Sequence, residues 1–392
     1  MTGRNIRFFY ILEIILALSG GIILPAYVLY FRAFNITLFQ VALLAVIFEA
    51  TIIVFEIPTG IFADKFGRKL STNIGFLLLT VSGIIFFMYQ SFIGFLIAEI
   101  VFGIAETFIS GALEALAVDS LDNENREKHL SRLMANRAAV KNGGLLIGMI
   151  LGGLLAGSIL PYLFAPVIFL GAVALSISLF LSESKSVSGK NPDIAGSAKT
   201  GKSIITNILH HKTLTALFAV GLMANLSFEG ADQYWQVLFS EIINIRPEYF
   251  GIITAAGLII VILTARFSER LYHRLSLYLG GCFALIAFSL FLTAAGGVPA
   301  ALIGIVTYFA LKEMIRPAIS YHLNLSIPSN KRAVYLSGYN LSCSIGEVGA
   351  GVLVGLMAAE YGVPCVFKFA AVSALGILVI YLILQNLRIA RN

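Results

Sequence analysis

Long apolar stretches alternate with short polar loops along the chain. A helix that crosses the hydrocarbon core of a bilayer needs roughly 20 apolar residues, and this length divides the sequence into membrane-spanning segments. Numbered 1 to 12 from the N-terminus, the segments lie near residues 6–33, 37–63, 70–90, 92–120, 132–159, 161–182, 213–243, 247–271, 275–294, 297–326, 333–360 and 363–386. The pattern predicts an all-α integral membrane protein with twelve transmembrane helices.

One polar stretch, from Glu183 to Lys212, interrupts this pattern and is rich in Ser, Gly and Lys. It divides the chain into an N-terminal six-helix bundle (1–182), a cytoplasmic linker (183–212) and a C-terminal six-helix bundle (213–392). Within the linker, residues 196–203 match the nucleotide-binding pattern G-x-x-x-x-G-K-[ST]. That pattern binds phosphate between a strand and a helix of an α/β core, which a short linker cannot supply. We therefore interpret these residues as part of a flexible basic tether.

The composition agrees with the segment pattern and excludes a soluble globular protein. Of the 392 residues, 58% are hydrophobic and 12% are charged, and the mean hydropathy is +0.91, so polar surface is scarce. The first apolar run is too long for a signal-peptide core and lacks a small-residue cleavage site, so we expect it to remain as a helix. The three cysteines lie in apolar runs without metal-ligand or paired spacing, and we expect no metal site.

Lysine and arginine are distributed asymmetrically between the two sides of the membrane. They concentrate at both termini, in every second loop and in the linker, whereas the loops of the opposite side hold only Arg32 and Arg246. By the positive-inside rule, both termini and the linker are cytoplasmic, and the chain is expected in the inner (cytoplasmic) membrane. The net charge of +6 then reflects topology and attraction to the lipid bilayer, and no nucleic-acid partner is expected.

The loop between segments 2 and 3 carries the most specific motif of the chain. Its sequence over residues 60–69, GIFADKFGRK, has the spacing Gly-x-x-x-Asp-Lys-x-Gly-Arg-Lys and resembles the corresponding loop of major facilitator superfamily transporters. Residues 265–274, between segments 8 and 9, keep the acid and its flanking cations without the glycines, as a diverged internal duplication would. The resemblance implies two pseudo-symmetric halves (6+6) that transport a small-molecule substrate. It implies a transporter that acts as a monomer without a cofactor, and not an enzyme.

The marked positions of this loop have separate physical roles. Gly60 would allow close backbone approach and Gly67 a tight turn, Asp64 would face the positive N-terminal end of a neighbouring helix, and Arg68 would pair with Asp119. By resemblance, the loop is a conformational latch of the outward-facing state. The latch residues are Gly60, Asp64, Lys65, Gly67, Arg68, Lys69 and Asp119. The alternative is that they are only turn glycines and positive-inside charges.

Segment 5 carries a glycine pattern that has two interpretations. Gly144, Gly148, Gly152 and Gly153 resemble the antiporter signature of drug exporters in this superfamily, although Met149 replaces its proline. The alternative is a small-residue face for close helix packing. On segment 4, Glu99 stands where many proton-coupled exporters carry an arginine, which argues against a direct transfer of their proton relay.

Several ionisable residues fall inside the predicted segments, where one charge costs about 2.5 to 3.5 kcal/mol. By resemblance, segments 1, 4, 7 and 10 line the substrate path, and Glu229 and Asp232 lie three residues apart on one face of segment 7, where they would share a proton. The proton-coupling candidates are Glu106, Glu229 and Asp232, and the substrate-cavity candidates are Glu13, Tyr234, Trp235, Tyr308, Lys312, Glu313 and Glu347. The alternative for each charge is a structural ion pair, and Glu114 would pair with Arg137 or Lys141.

These features favour a secondary transporter that exports a small amphipathic or cationic solute by alternating access, coupled to proton influx. One charge moved through 100 mV releases about 2.3 kcal/mol, which sustains roughly a fiftyfold solute gradient. The alternatives are a proton-coupled importer of a small polar or anionic solute, and a transporter-like sensor without flux. Carboxylates among aromatic rings favour a cation, whereas Lys312 and Arg316 would suit an anion.

Overall fold

The structure is a computed structural model that describes residues 2–121, 126–183, 212–327 and 332–389. Within these residues the regular structure is helical. The predicted linker, including the sequence at 196–203, lies outside the described residues apart from its two ends. The predicted boundaries between the bundles and the linker therefore stay a prediction.

Each predicted segment corresponds to a helix, and segment 1 is divided into two. The helices are α1 (Thr2–Ile23), α2 (Tyr27–Ala33), α3 (Leu38–Phe66), α4 (Arg68–Met88), α5 (Phe92–Asp119), α6 (Arg126–Ser158), α7 (Phe164–Ser178), α8 (Lys212–Val237), α9 (Phe250–Leu271), α10 (Leu275–Ala295), α11 (Val298–Ser326), α12 (Arg332–Tyr361) and α13 (Val363–Ile389). Eleven stretches of the described chain are long and apolar enough to cross a membrane, and one of them, Pro247–Ala295, contains both α9 and α10. The predicted twelve transmembrane helices are thereby confirmed.

The helix boundaries follow local sequence. Before α3, the Thr37 hydroxyl accepts a hydrogen bond from the Gln40 N–H, while the Gln40 side chain accepts one from the Thr37 N–H, which satisfies two amides at the start of the helix. Segment 1 breaks between α1 and α2 at a turn that includes Pro25, because proline has no N–H to continue the helix. Just past this break, the Tyr27 hydroxyl donates to Oε1 of Glu99 on α5, at 2.5 Å.

The chain forms two compact units, which repeat one packing pattern. The first unit contains α1 to α7 together with Ile245–Ala255, and the second contains α8, the rest of α9, and α10 to α13. In the first unit α1 packs on α6 and α7, and α4 packs on α5 and α7. In the second unit α8 packs on α12 and α13, and α10 packs on α11 and α13. The same order of contacts in each half agrees with the internal duplication indicated by the sequence.

The glycines of α6 allow its backbone to pack directly on α1. A Cβ added at Gly144 would lie 2.9 Å from the Ile14 carbonyl oxygen, and one at Gly148 would lie closer still to the Leu18 carbonyl oxygen. Gly152 has the same relation to Ile22. The packing interpretation of this pattern is therefore present in the fold, as small-residue interfaces in membranes commonly are.

We expect Gly148→Val to destabilise the protein by about 1–3 kcal/mol, because its added carbons would overlap the backbone of α1. Gly143→Val is the matched control, since nothing lies within 4 Å of a Cβ added at Gly143 on the same helix. Thermal unfolding of both purified variants in detergent measures the difference. Equal unfolding temperatures would contradict the packing role of Gly148.

Candidate functional site

The second unit contains a cluster of charged and polar side chains within its membrane-spanning helices. On α8, the Asp232 carboxylate forms an ion pair with the Lys312 ammonium of α11. The Tyr308 hydroxyl, one turn before Lys312, donates to Oδ1 of Asp232 at 2.9 Å and also lies 3.3 Å from the Phe228 carbonyl oxygen. Asp232 is thus held by one cation and one phenol.

Glu229 lies next to this pair but has a different kind of partner. Its Oε1 accepts a hydrogen bond from Nε2 of Gln233, one helical turn further on, at 2.6 Å. It lies within electrostatic reach of Asp232, of Glu347 on α12 and of Lys312. The Lys312 ammonium, which is paired with Asp232, also lies within electrostatic reach of Glu229 and Glu313.

The other substrate-cavity candidates of the second unit differ in how deeply they are buried. Tyr234 and Trp235 are buried, and the Trp235 ring packs against Phe239 and Phe309. Glu347 is partly buried, whereas Glu313 is exposed. The aromatic pair accordingly belongs to the packed interior of the second unit.

The first unit has its own charge cluster, centred on Arg137 of α6. The Arg137 guanidinium bonds to Glu13 of α1, with Nε 2.8 Å from Oε1, and also to Glu114 of α5. It lies over the Phe9 ring, 5.8 Å from its centroid. Glu13 is buried, with 6% of its surface exposed. Of the two cations predicted as partners of Glu114, the structure pairs it with Arg137.

Glu106 lies on α5 within electrostatic reach of Lys141 and Glu13. Its side chain is partly buried, and that of Lys141 is exposed. Glu106 therefore experiences the field of one cation on α6 and of one carboxylate on α1.

The loop between α3 and α4 forms the predicted pair between Arg68 and Asp119. Arg68 Nη1 also donates to the Ala115 carbonyl oxygen at 3.0 Å. Gly67 has a φ of 106°, a conformation that glycine adopts at little cost, as the predicted tight turn requires. The close approach expected at Gly60 is wrong, because a Cβ added there would meet nothing within 4 Å.

The carboxylate that caps the N-terminus of α4 is Glu183, and not Asp64. Its two oxygens accept hydrogen bonds from the backbone N–H groups of Arg68 and Lys69, each at 2.9 Å. A carboxylate is favourable there because the first amides of a helix are unpaired and carry the positive end of its dipole. Asp64 and Lys65 are both exposed, and the Lys65 ammonium lies 5.2 Å from the Phe66 ring centroid.

Sequence reasoning did not identify three residues that hold these sites together. Glu183 is the first residue of the polar stretch, and the sequence pattern assigns it to the linker. Gln233 is neutral, and Tyr27 is one of 15 tyrosines. The only available sequence signal was the spacing of Gln233, four residues after Glu229 on one helix face.

The fold and its intramembrane charges define the class of the protein, and comparison with known proteins gives its family. Twelve apolar helices in two units with a repeated packing pattern, together with charges inside the spans, define a polytopic membrane transporter. A model of the Major Facilitator Superfamily matches residues 9–311, and the chain belongs to that superfamily. Its fold is that of transporters and not of enzymes.

Relatives and solved structures agree with this membership. The uncharacterized MFS-type transporter YxaM of Bacillus subtilis (strain 168) is 24% identical over 97% of this chain and 96% of its own length. The quinolone resistance protein NorA of Staphylococcus aureus (strain MSSA476) is 22% identical over 98% of this chain and 97% of its own. The crystal structure of the nucleoside transporter NupG covers 97% of this chain and 99% of its own, with a TM-score of 0.79 at 12% identity, and it shows the fold alone.

Proposed function

We propose that this protein is a secondary exporter of a small amphipathic or cationic solute, which works by alternating access and is driven by proton influx. Membership of the superfamily supports transport, and the similarity to a quinolone resistance protein supports efflux. The observation that carries the coupling is the neutral hydrogen-bond partner of Glu229 beside the Asp232–Lys312 pair.

The counter-charges and hydrogen-bond partners of the three candidates favour Glu229 as the proton carrier. Asp232 is neutralised by Lys312 and bonded by Tyr308, so its ionised form already has a counter-charge. Glu106 lies within electrostatic reach of the Lys141 ammonium, which, unlike Lys312, forms no ion pair among the described residues. Among the described residues, the hydrogen-bond partner of Glu229 is the Gln233 amide, and the ammonium within its electrostatic reach, Lys312, is already paired with Asp232. A carboxylate without its own cation in a low-dielectric site gains most from taking up a proton.

The balance of charges around Glu229 favours a cationic substrate over an anionic one. Glu229 lies within electrostatic reach of two other carboxylates, Asp232 and Glu347, and of one ammonium group, Lys312, which is already paired with Asp232. A cation would therefore compete with the proton for the same negative site, which gives exchange without separate coupling machinery. An anionic substrate would have to take Lys312 from Asp232 and leave a partly buried carboxylate without its cation.

The proposed function is tested with the purified protein in liposomes and ethidium as a lipophilic cation. An acidic lumen should drive dye uptake, because protons leave as the dye enters. A proton-coupled importer would show the opposite dependence, with uptake of its solute driven by an acidic outside, which an anionic fluorophore tests in parallel. Absence of flux with either dye under either gradient would favour the sensor alternative.

We also propose that both termini are cytoplasmic and that the protein lies in the inner membrane, because of the lysine and arginine asymmetry. Single cysteines at positions 69 and 246, in a background without Cys282, Cys343 and Cys365, test the orientation. An impermeant thiol reagent added to intact cells should label position 246 and spare position 69. The reverse pattern would overturn the assignment.

The Arg68–Asp119 pair is proposed to act as a latch that biases one conformation. We expect Arg68→Ala to slow dye transport about tenfold while ethidium affinity in detergent changes little, because the pair shifts a conformational equilibrium without forming the binding site. Asp119→Asn should have the same effect, and the exchanged pair Arg68→Asp with Asp119→Arg should recover part of the rate. Loss of ethidium binding in a folded Arg68→Ala protein would contradict the latch.

A further inference from the structure

The amide of Gln233 is only half satisfied. Its Nε2 donates to Glu229, but its Oε1 is buried and has no hydrogen-bond partner among the described residues. The whole residue is 7% exposed. A buried amide oxygen without a partner costs about 1–3 kcal/mol, so its retention next to a proton-carrier candidate calls for a physical reason.

The two ends of an amide have opposite hydrogen-bonding roles, and so do the two states of a carboxyl group. An ionised carboxylate only accepts, whereas a protonated carboxyl group can also donate. In the observed orientation Nε2 donates, which suits the ionised state of Glu229. Rotation of the amide by half a turn would bring Oε1 to the place of Nε2, where it would accept from a protonated Glu229.

We propose that Gln233 is a positioning residue that follows the protonation state of Glu229. It donates through Nε2 to the carboxylate and, after the amide turns, accepts through Oε1 from the carboxyl group. Both states then keep a hydrogen bond inside the membrane, and the proton can be gained or lost without leaving Glu229 unbonded. This inference rests on the proposed role of Glu229 as proton carrier.

The surroundings of Glu229 offer no better candidate for this role. From α8 itself the neighbouring charge is Asp232, from α12 it is Glu347, and from α11 it is Lys312, which is bound to Asp232. On α13, which also packs on α8, Lys368 is exposed.

The hydroxyls of Tyr234 on α8 and Tyr308 on α11 also lie within electrostatic reach of Glu229, but the Tyr308 hydroxyl donates to Asp232. Among the described residues, Gln233 is the one whose side chain is hydrogen-bonded to Glu229, and its amide can serve as donor or as acceptor.

The first test compares Gln233→Met, an apolar side chain of similar length, with the wild-type protein. The carboxyl C=O band in infrared difference spectra, assigned to Glu229 by its loss in Glu229→Gln, reports protonation directly in detergent. Hydrogen bonds to an ionised group are roughly twice as strong as neutral ones, so the loss of Gln233 weakens the ionised state more. The titration midpoint of the band should therefore move upward by about 0.5 to 1 pH unit, and the pH optimum of dye transport should move with it.

A second variant and a control separate this role from simple packing. Gln233→Glu keeps the shape but places two carboxyl groups in contact, which share a hydrogen bond only when one is protonated, so the midpoint should rise further. Asn225→Leu removes another amide from the same helix, one that donates to the Gly221 carbonyl oxygen at 2.9 Å, and should leave the midpoint unchanged.

The outcomes distinguish this inference from the function it rests on. If Glu229→Gln removes no carboxyl band and leaves pH-driven transport intact, the carrier assignment is wrong and the inference falls with it. If the Glu229 band titrates but its midpoint is the same in wild-type, Gln233→Met and Gln233→Glu proteins, the carrier assignment stands and the role of Gln233 is refuted. Equal shifts in Gln233→Met and Asn225→Leu would likewise refute it.

Discussion

Glu229→Gln is expected to abolish dye accumulation driven by a pH gradient while exchange of dye at equal concentration stays measurable. The glutamine cannot take up or release a proton, yet it keeps the size and hydrogen-bonding reach of the glutamate toward Gln233. Exchange of one proton for one monovalent cation moves no net charge, so a pH gradient of one unit sustains about a tenfold dye gradient, and this whole accumulation should disappear. Exchange remains because it needs conformational change and substrate binding without net proton transfer.

The measurement uses proteoliposomes with an acidic lumen, and exchange of labelled against unlabelled dye as the internal reference. Glu106→Gln is the matched comparison, since it removes a carboxylate from the first unit. If Glu229→Gln retains full gradient-driven flux, the role passes to Glu106 or Asp232, and the single variants Glu106→Gln and Asp232→Asn decide between them. The triple Gln/Asn variant tests all three residues together. Full flux in that triple variant would exclude all three and leave Glu13, Glu313 or Glu347.

The loss of exchange together with accumulation would have a different meaning. It would indicate that Glu229 forms part of the substrate site as well, so that its neutralisation removes a negative charge that the cation needs. A Glu229→Asp variant resolves this case. It retains a titratable carboxyl group and should recover proton coupling even if its shorter side chain lowers dye affinity.

The spans were predictable from sequence because an apolar run of transmembrane length is a local property. The same holds for the turn at Gly67, where the motif itself contains the residue that the backbone requires. The break after α1 could have been suspected from Pro25, but a proline within an apolar run also occurs inside continuous helices, as Pro58 does in α3. Local composition does not distinguish the two cases.

The pairing of the intramembrane charges was less predictable, because it depends on which helix faces meet. Sequence left both Arg137 and Lys141 as partners of Glu114, one helical turn apart, and only the packing of α1, α5 and α6 selects Arg137. Glu183 illustrates the same limit. Its capping role arises where the end of the first bundle passes the start of α4, a contact between residues 115 positions apart.

The largest stability effect is expected from Arg137→Met. This substitution removes the cation that bonds both Glu13 and Glu114 and leaves one buried carboxylate, Glu13, and one partly exposed carboxylate, Glu114, without it. Breaking a wholly buried ion pair costs 3–5 kcal/mol. The Arg137 side chain is 27% exposed and that of Glu114 is 41% exposed, so solvent screens their pair and most of the loss comes from Glu13. We therefore expect a loss of about 3 kcal/mol, at the lower end of that range.

Two comparisons identify the unpaired carboxylates as the cause of this loss. Removing both carboxylates together with the cation, in Glu13→Gln, Glu114→Gln and Arg137→Met, should recover most of the stability, because neutral groups replace the ion pairs. Arg246→Met breaks the exposed pair with Glu248, in which the Arg246 side chain is 73% exposed, and should leave the unfolding temperature unchanged because water and salt screen such pairs. Thermal unfolding in detergent measures all three variants. Equal unfolding temperatures of Arg137→Met and Arg246→Met would contradict this role of the cluster. A triple variant no more stable than Arg137→Met alone would do the same. In either case the cluster does not hold α1, α5 and α6 together through charge.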